Sequence, residues 1–123
     1  MPLEKFIEEE LLLYRARWQL ADYSGSWRAL ERAHVLAQSQ ALQHTRIHLL
    51  MLVFATRRGN WREVAGQILR LVLAPIGSVT GTAPLGNTGG ADVSAFQPMP
   101  ISDEMRRKLG SAGVRAFNPD DPT

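Results

Sequence analysis

Residues 31–48 read ERAHVLAQSQALQHTRIH, and the reading of this stretch decides the fold. Two helical patterns meet in it, with Ser39-Gln40-Ala41 as a tight polar connection between them. The stretch also holds all three histidines of the chain: His34, His44 and His48. His44 and His48 stand four apart, one turn along one helical face. In an antiparallel hairpin centred near Gln40, His34 falls opposite the interval between them. Three imidazoles then converge between two helices.

Working outward, a helix over residues 42–57 is apolar around much of its circumference and reads as the central element. Gly59 ends it, and Arg57 and Arg58 suit the negative end of its dipole. Asn60 caps a further helix over 61–74, which Pro75 stops. Upstream, Ser26 reads as the N-cap of a helix over 27–38. The first helix, 3–21, carries Phe6, Ile7, Leu11, Tyr14, Trp18 and Ala21 at helical spacing, and Tyr23-Ser24-Gly25 breaks it. Pro2 is tolerated at its start, and Glu4 leads the acidic residues that favour its positive end. The prediction is an all-α chain of four antiparallel helices in two pairs.

A repeat underlies these pairs. GSWRALERAHVLAQ, residues 25–38, aligns with GNWREVAGQILRLV, residues 59–72, at a shift of 34 residues. A helix–turn–helix period of that length with a Gly-polar-aromatic corner resembles the tetratricopeptide repeat over residues 3–75. That resemblance implies helix pairs stacked side by side. The chain departs from the family in having two units where a solenoid needs about three or more. The tail, a ligand or a second copy of the chain must cover the open faces, so a homodimer or another protein partner is expected.

The mismatches inside the repeat locate a site. Where the second unit has Ala65, Ile68 and Val72, the first has Glu31, His34 and Gln38. If the second unit packs that stripe into a core, the first has turned a core stripe polar. An unpaired buried polar group costs about 1–3 kcal/mol, so these side chains must find partners. The resulting candidate is a metal site of His34, His44 and His48, with Glu31 as a fourth ligand or as an acceptor for an imidazole N–H. Imidazole suits zinc, copper, nickel or iron alike. The spacing lacks the glutamate of the H-E-x-x-H zinc motif. Glu31-x-x-His34 supplies one half of a di-iron signature that needs two. The competing reading is a satisfied polar layer that fixes helix register without chemistry.

Residues 75–123 differ in character, holding six of the seven prolines and seven of the ten glycines. Gly86-Asn87-Thr88-Gly89-Gly90 is turn-rich but lacks the Gly-Lys-Ser/Thr ending of a phosphate loop. Val93, Phe96, Met99 and Ile101 suggest a strap over 76–123 that lies on the helical domain, 1–75, to form one domain overall. Ser102 caps a short helix over 103–109, ended by Gly110.

Composition narrows the function classes. The 123 residues contain no cysteine, which excludes disulfides and thiolate ligands. The net charge of +2 is uneven: residues 1–10 carry −3, residues 11–74 carry +6 and residues 75–123 carry −1. No motif interleaves the arginines with aromatics as a nucleic-acid surface would, so they read as a solvated face and nucleic acid is not an expected partner. No apolar run approaches the ~20 residues that span a bilayer, and residues 1–10 do not read as a signal peptide. A cytoplasmic location is the default.

The segments ERAHVLAQ, HTRIHLLML, GQILR and PLGNTGG resemble a small family of uncharacterised bacterial proteins, a domain of unknown function. The resemblance implies a short soluble chain encoded near heavy-metal resistance genes and supplies no activity. Two function classes follow. One is a metal-binding protein with the three-histidine site between the second and third helices. The other is a tetratricopeptide-like interaction module, with Trp61, Arg62 or Arg17 as anchors and a purely structural polar layer. No substrate pocket is legible in the sequence, so no catalytic residue is assigned.

Overall fold

The computed structural model describes residues 2–80 and 101–113, with side chains for residues 3–72 and 101–113. The described residues form five helices and no strand: α1 (Pro2–Gln19), α2 (Tyr23–Ala37), α3 (Ala41–Arg58), α4 (Trp61–Thr80) and α5 (Asp103–Ser111). The described residues are all-α, as the sequence predicts.

Short turns dictate which helices pair. The hydrogen bond from Ser26 Oγ to the Tyr14 carbonyl, the Trp18–Tyr23 ring contact and the Arg32–Glu10 ion pair match later α2 residues with earlier α1 residues. The two helices are therefore antiparallel. Trp27 against Phe54 and His34 against His44 and His48 relate α2 and α3 in the same way. α4 packs on α3, and α5 lies across α1 and α2.

Ile7, Leu11, Ala29, Leu30, Ala33, Leu36, Ile47 and Met51 form the core where α1, α2 and α3 meet. At one end it is aromatic, with Tyr14, Trp18 and Trp27 around Phe54 at centroid distances of 6.5, 5.4 and 5.2 Å. At the other end it is polar, and the three histidines lie there. α5 covers the α1/α2 pair through Met105 and Leu109, one helical turn apart, with Ile101 just before the helix, and all three are buried. Lys108 of α5 and Arg32 of α2 both reach the buried Glu10 carboxylate of α1, at 3.7 and 2.9 Å. One carboxylate thus ties three helices.

Several boundaries differ from the sequence reading. α2 begins at Tyr23, capped by Asp22, whose Oδ1 accepts from the Gly25 N–H at 3.0 Å. Ser26 is inside the helix, fully buried, with its hydroxyl spent on α1. A Cβ at Gly25 would collide with the Asp22 carboxylate, so glycine is what permits this cap. α4 continues through Pro75 to Thr80. Proline removes one backbone donor, and the helix nonetheless continues past it. Gly110, expected to end the last helix, lies inside α5, which runs on to Ser111. Three other caps stand where the sequence puts them: Gly59 is left-handed at φ 67°, Asn60 accepts from the Glu63 N–H at 3.2 Å, and Ser102 accepts from the Met105 N–H at 3.3 Å.

The premise drawn from the repeat does not hold in the second unit. Ala65, Ile68 and Val72 are exposed, and α4 instead buries Gln67 and Arg70. Of the expected strap, Gly86 to Gly90 and Val93, Phe96 and Met99 lie outside the described residues. No described helix is long and apolar enough to cross a membrane.

Candidate metal centre

Each histidine is placed by its helix. His34 sits in the last turn of α2, and His44 and His48 occupy one face of α3. All three are buried, none more than 5% exposed. Their Nε2 atoms form a triangle: His34 to His48 is 2.9 Å, His34 to His44 is 2.9 Å and His48 to His44 is 3.1 Å. The ring centroids stand 4.6 to 4.8 Å apart, with interplanar angles of 46° to 73°. The rings therefore radiate from a common point, edges inward.

Hydrogen bonding alone does not satisfy this triangle. Each neutral imidazole presents at Nε2 either one proton or one lone pair, aimed along a single direction. The tautomer of His48 follows from a chain of contacts. Glu63 Oε2, which only accepts, takes a hydrogen bond from Gln67 Nε2 at 2.8 Å. That fixes the amide orientation, so Gln67 Oε1 faces His48 Nδ1 at 2.7 Å and must accept from it. With its proton on Nδ1, neutral His48 turns a lone pair toward the other two histidines. If His34 and His44 both carry Nε2 protons, those protons oppose each other across 2.9 Å. If either carries a lone pair there, at least one contact sets two lone pairs face to face. Every assignment of the neutral forms leaves one contact repulsive. A cation held by His34, His44 and His48 would turn all three lone pairs into ligands, and nitrogens 2.9 to 3.1 Å apart are close enough for all three to reach one ion.

The electrostatics favour the ligand form. Burial holds the His48 pKa at about 4, well below its ordinary 6.5; the Gln67 hydrogen bond raises it, and the Arg70 guanidinium lowers it. His48 is therefore neutral at pH 7, as metal coordination requires. An imidazole whose other nitrogen donates to a fixed acceptor is also the usual support of a metal-bound histidine.

The sequence-derived candidates separate here. His34, His44 and His48 come together as a group whose ligand atoms all lie within 4.8 Å of one another. Glu31 is half-buried one turn before His34 and is not a member of that group. Sequence reasoning missed Glu63, Gln67 and Arg70. They stand at i, i+4 and i+7, a polar stripe on an otherwise apolar helix, and that spacing was the available signal. His48 thus faces two helices at once, with Nε2 toward α2 and Nδ1 toward α4.

A cleft of about 500 Å³ lies beyond the aromatic end, lined by Tyr23, Ser24, Trp27, Phe54, Arg58 and Glu63 among others. The Arg58 guanidinium stacks 3.9 Å from the Tyr23 ring centroid. Glu63 borders this cleft and also starts the hydrogen-bond chain that ends on His48.

No curated protein and no solved structure matches the chain. A family model described as "Protein of unknown function (DUF3703)" matches residues 1–109, and the chain belongs to that family.

Proposed function

We propose that this protein binds a transition metal ion through His34, His44 and His48 at the junction of α2, α3 and α4. The observation that carries the reading is the triangle of buried Nε2 atoms 2.9 to 3.1 Å apart, which no set of neutral tautomers satisfies. The Glu63–Gln67–His48 chain supports it, because it holds one imidazole in the ligand tautomer before an ion arrives. Zinc, copper, nickel and iron all accept imidazole. Three protein ligands leave a position for water or another small ligand. Glu31 is proposed to act around the centre, as an acceptor for an imidazole N–H or a ligand drawn in on binding. A cytoplasmic location is part of this proposal.

Isothermal titration of the protein with zinc at pH 7 tests the reading. One equivalent should bind, and His34→Ala should weaken binding by at least roughly a hundredfold, since one of three ligands is lost. Equal affinity in the variant would contradict it.

A second reading has its own observation. Trp61 is 69% exposed on α4, with Ile68, Leu69 and Val72 also exposed beyond it. Under this reading the molecule is a tetratricopeptide-like interaction module, docking a protein partner or a second copy, and the histidines are a register-setting layer. Replacing the three histidines together by Leu would leave partner binding intact in that case.

A further inference from the structure

Among the described residues α4 packs on α3 alone, whereas α1 and α2 both carry α5. The first helix pair is thus covered, and the second has an open side. At about 100° per residue, Leu42, Leu49 and Val53 share one stripe of α3, opposite Ile47 and Met51, which join the core with α1 and α2. Trp61, Ala65, Ile68 and Val72 share one stripe of α4, advancing by four, three and four residues. His48 and Gln67 join the two helices. Measured from them, the stripes lie about 120° and 130° onward in the same rotational sense. α3 and α4 run antiparallel, so both stripes come out on one side of the pair, away from α2. All seven residues are exposed and none is charged.

The repeat gives this side a role. Ala65, Ile68 and Val72 stand 34 residues after Glu31, His34 and Gln38. On α2 that stripe is where α3 docks, with His34 against His44 and His48. The α4 stripe is the corresponding place for a next helix, and no described helix takes it.

We infer that the outer side of α3 and α4 is the interface of a homodimer, in which the same side of a second copy packs against it about a two-fold axis. This takes the exposed surface of the second reading above and commits it to one occupant, whether or not the histidines hold an ion. A two-fold contact sets a surface against itself, so charges near the axis oppose their own kind; the seven stripe residues carry none. Apolar residues at three- and four-residue steps have the spacing at which one helix packs along another. Their exposed area is on the order of 800 Å², which is what a standard interface buries on each partner. The covered α1/α2 pair leaves the stack one open end, so association stops at two copies. Two copies stack four helix pairs in place of two, which meets the roughly three units a solenoid needs.

Sedimentation equilibrium of the full chain tests this. The expected result is a dimer with a Kd of about a micromolar or below. Leu49→Lys and Ile68→Lys, one on each helix, should each weaken it at least roughly tenfold, as loss of a central contact does. Circular dichroism should show unchanged helix content in both, because both side chains are exposed in the single chain. Leu12→Lys, at a comparably exposed leucine of α1, should leave the dimer intact. A wild type that stays monomeric well above micromolar concentration overturns the inference. In that case a loss of thermal stability in Ile68→Lys assigns the side to the chain's own residues 81–100, and unchanged stability assigns it to a different protein, which keeps the interaction-module reading. A dimer that both α3 and α4 variants retain, or that Leu12→Lys breaks, also overturns it. Zinc titration of the same variants reads the metal site separately, so the fate of the dimer and of the metal reading are distinguished.

Discussion

Replacing Gln67 with Met removes one side chain from the polar layer around the three histidines without touching any of them. Gln67 is fully buried and uses both ends of its amide: Nε2 donates to Glu63 at 2.8 Å and Oε1 accepts from His48 Nδ1 at 2.7 Å. Methionine is close in volume, so the loss is polar and leaves no cavity. In the metal-free protein His48 then escapes the penalty of an unpaired donor by moving its proton to Nε2, where it donates to a neighbouring histidine. The stability cost is accordingly limited to about 1–2 kcal/mol for the lost hydrogen bonds. In the metal-loaded protein that escape is closed, because Nε2 must keep its lone pair. Metal affinity should therefore fall about 10- to 100-fold, or roughly 1.4–2.7 kcal/mol. Competition against a chelator of known affinity measures the drop. Imidazole ¹⁵N shifts measure the tautomer: the wild type should carry the His48 proton on Nδ1 and Gln67→Met should carry it on Nε2. Unchanged metal affinity, or a wild-type His48 protonated on Nε2, would refute the reasoning.

Three further outcomes follow from the same contacts. The folded His48 pKa of about 4 lies below the ordinary 6.5, so between those values the unfolded chain binds a proton that the folded chain does not. Metal-free stability should thus be full above pH 6.5 and decline by about 3 kcal/mol toward pH 4; urea denaturation at several pH values measures it, and a His48→Leu variant should lack that part of the slope. Glu10→Gln should cost about 1–3 kcal/mol, since Glu10 is buried while its partner Arg32 keeps partial access to water; a change under 0.5 kcal/mol in urea denaturation would deny that it ties the three helices. Met51→Ala should cost about 2–5 kcal/mol because Met51 is fully buried against the core, and thermal denaturation with a matched heat capacity checks it.

How far the site was legible in the sequence depends on which helix is asked. His34, His44 and His48 are fixed by local rules, a four-residue spacing on α3 and a short turn to α2, and both survive in the structure. The α4 contribution was hidden by the repeat. Aligning residues 59–72 with 25–38 carries the apolar stripe Ala65, Ile68 and Val72 to the inside. The helix instead buries the polar stripe of Gln67 and Arg70, and Ile68 and Val72 are more than half exposed. Repeat alignment preserves turn residues such as Gly59 and Asn60, but the rotation of a helix about its axis is set by its partners. Here the partner is a histidine whose buried Nδ1–H needs an acceptor. The start of α2 was misread for a related reason. Asp22 and Ser26 are both good capping residues, and tertiary contact decided between them by giving the Ser26 hydroxyl to the Tyr14 carbonyl.

The most direct test of the central claim is the metal content of the protein purified without a histidine tag, measured by elemental analysis beside the His34→Ala, His44→Ala and His48→Ala triple variant. The account predicts close to one equivalent of a transition metal in the wild type, or uptake of one equivalent after dialysis, and none in the variant. No metal in the wild type, with no thermal shift on adding zinc, copper, nickel or iron, would contradict it and leave the three histidines as a layer that only sets helix register.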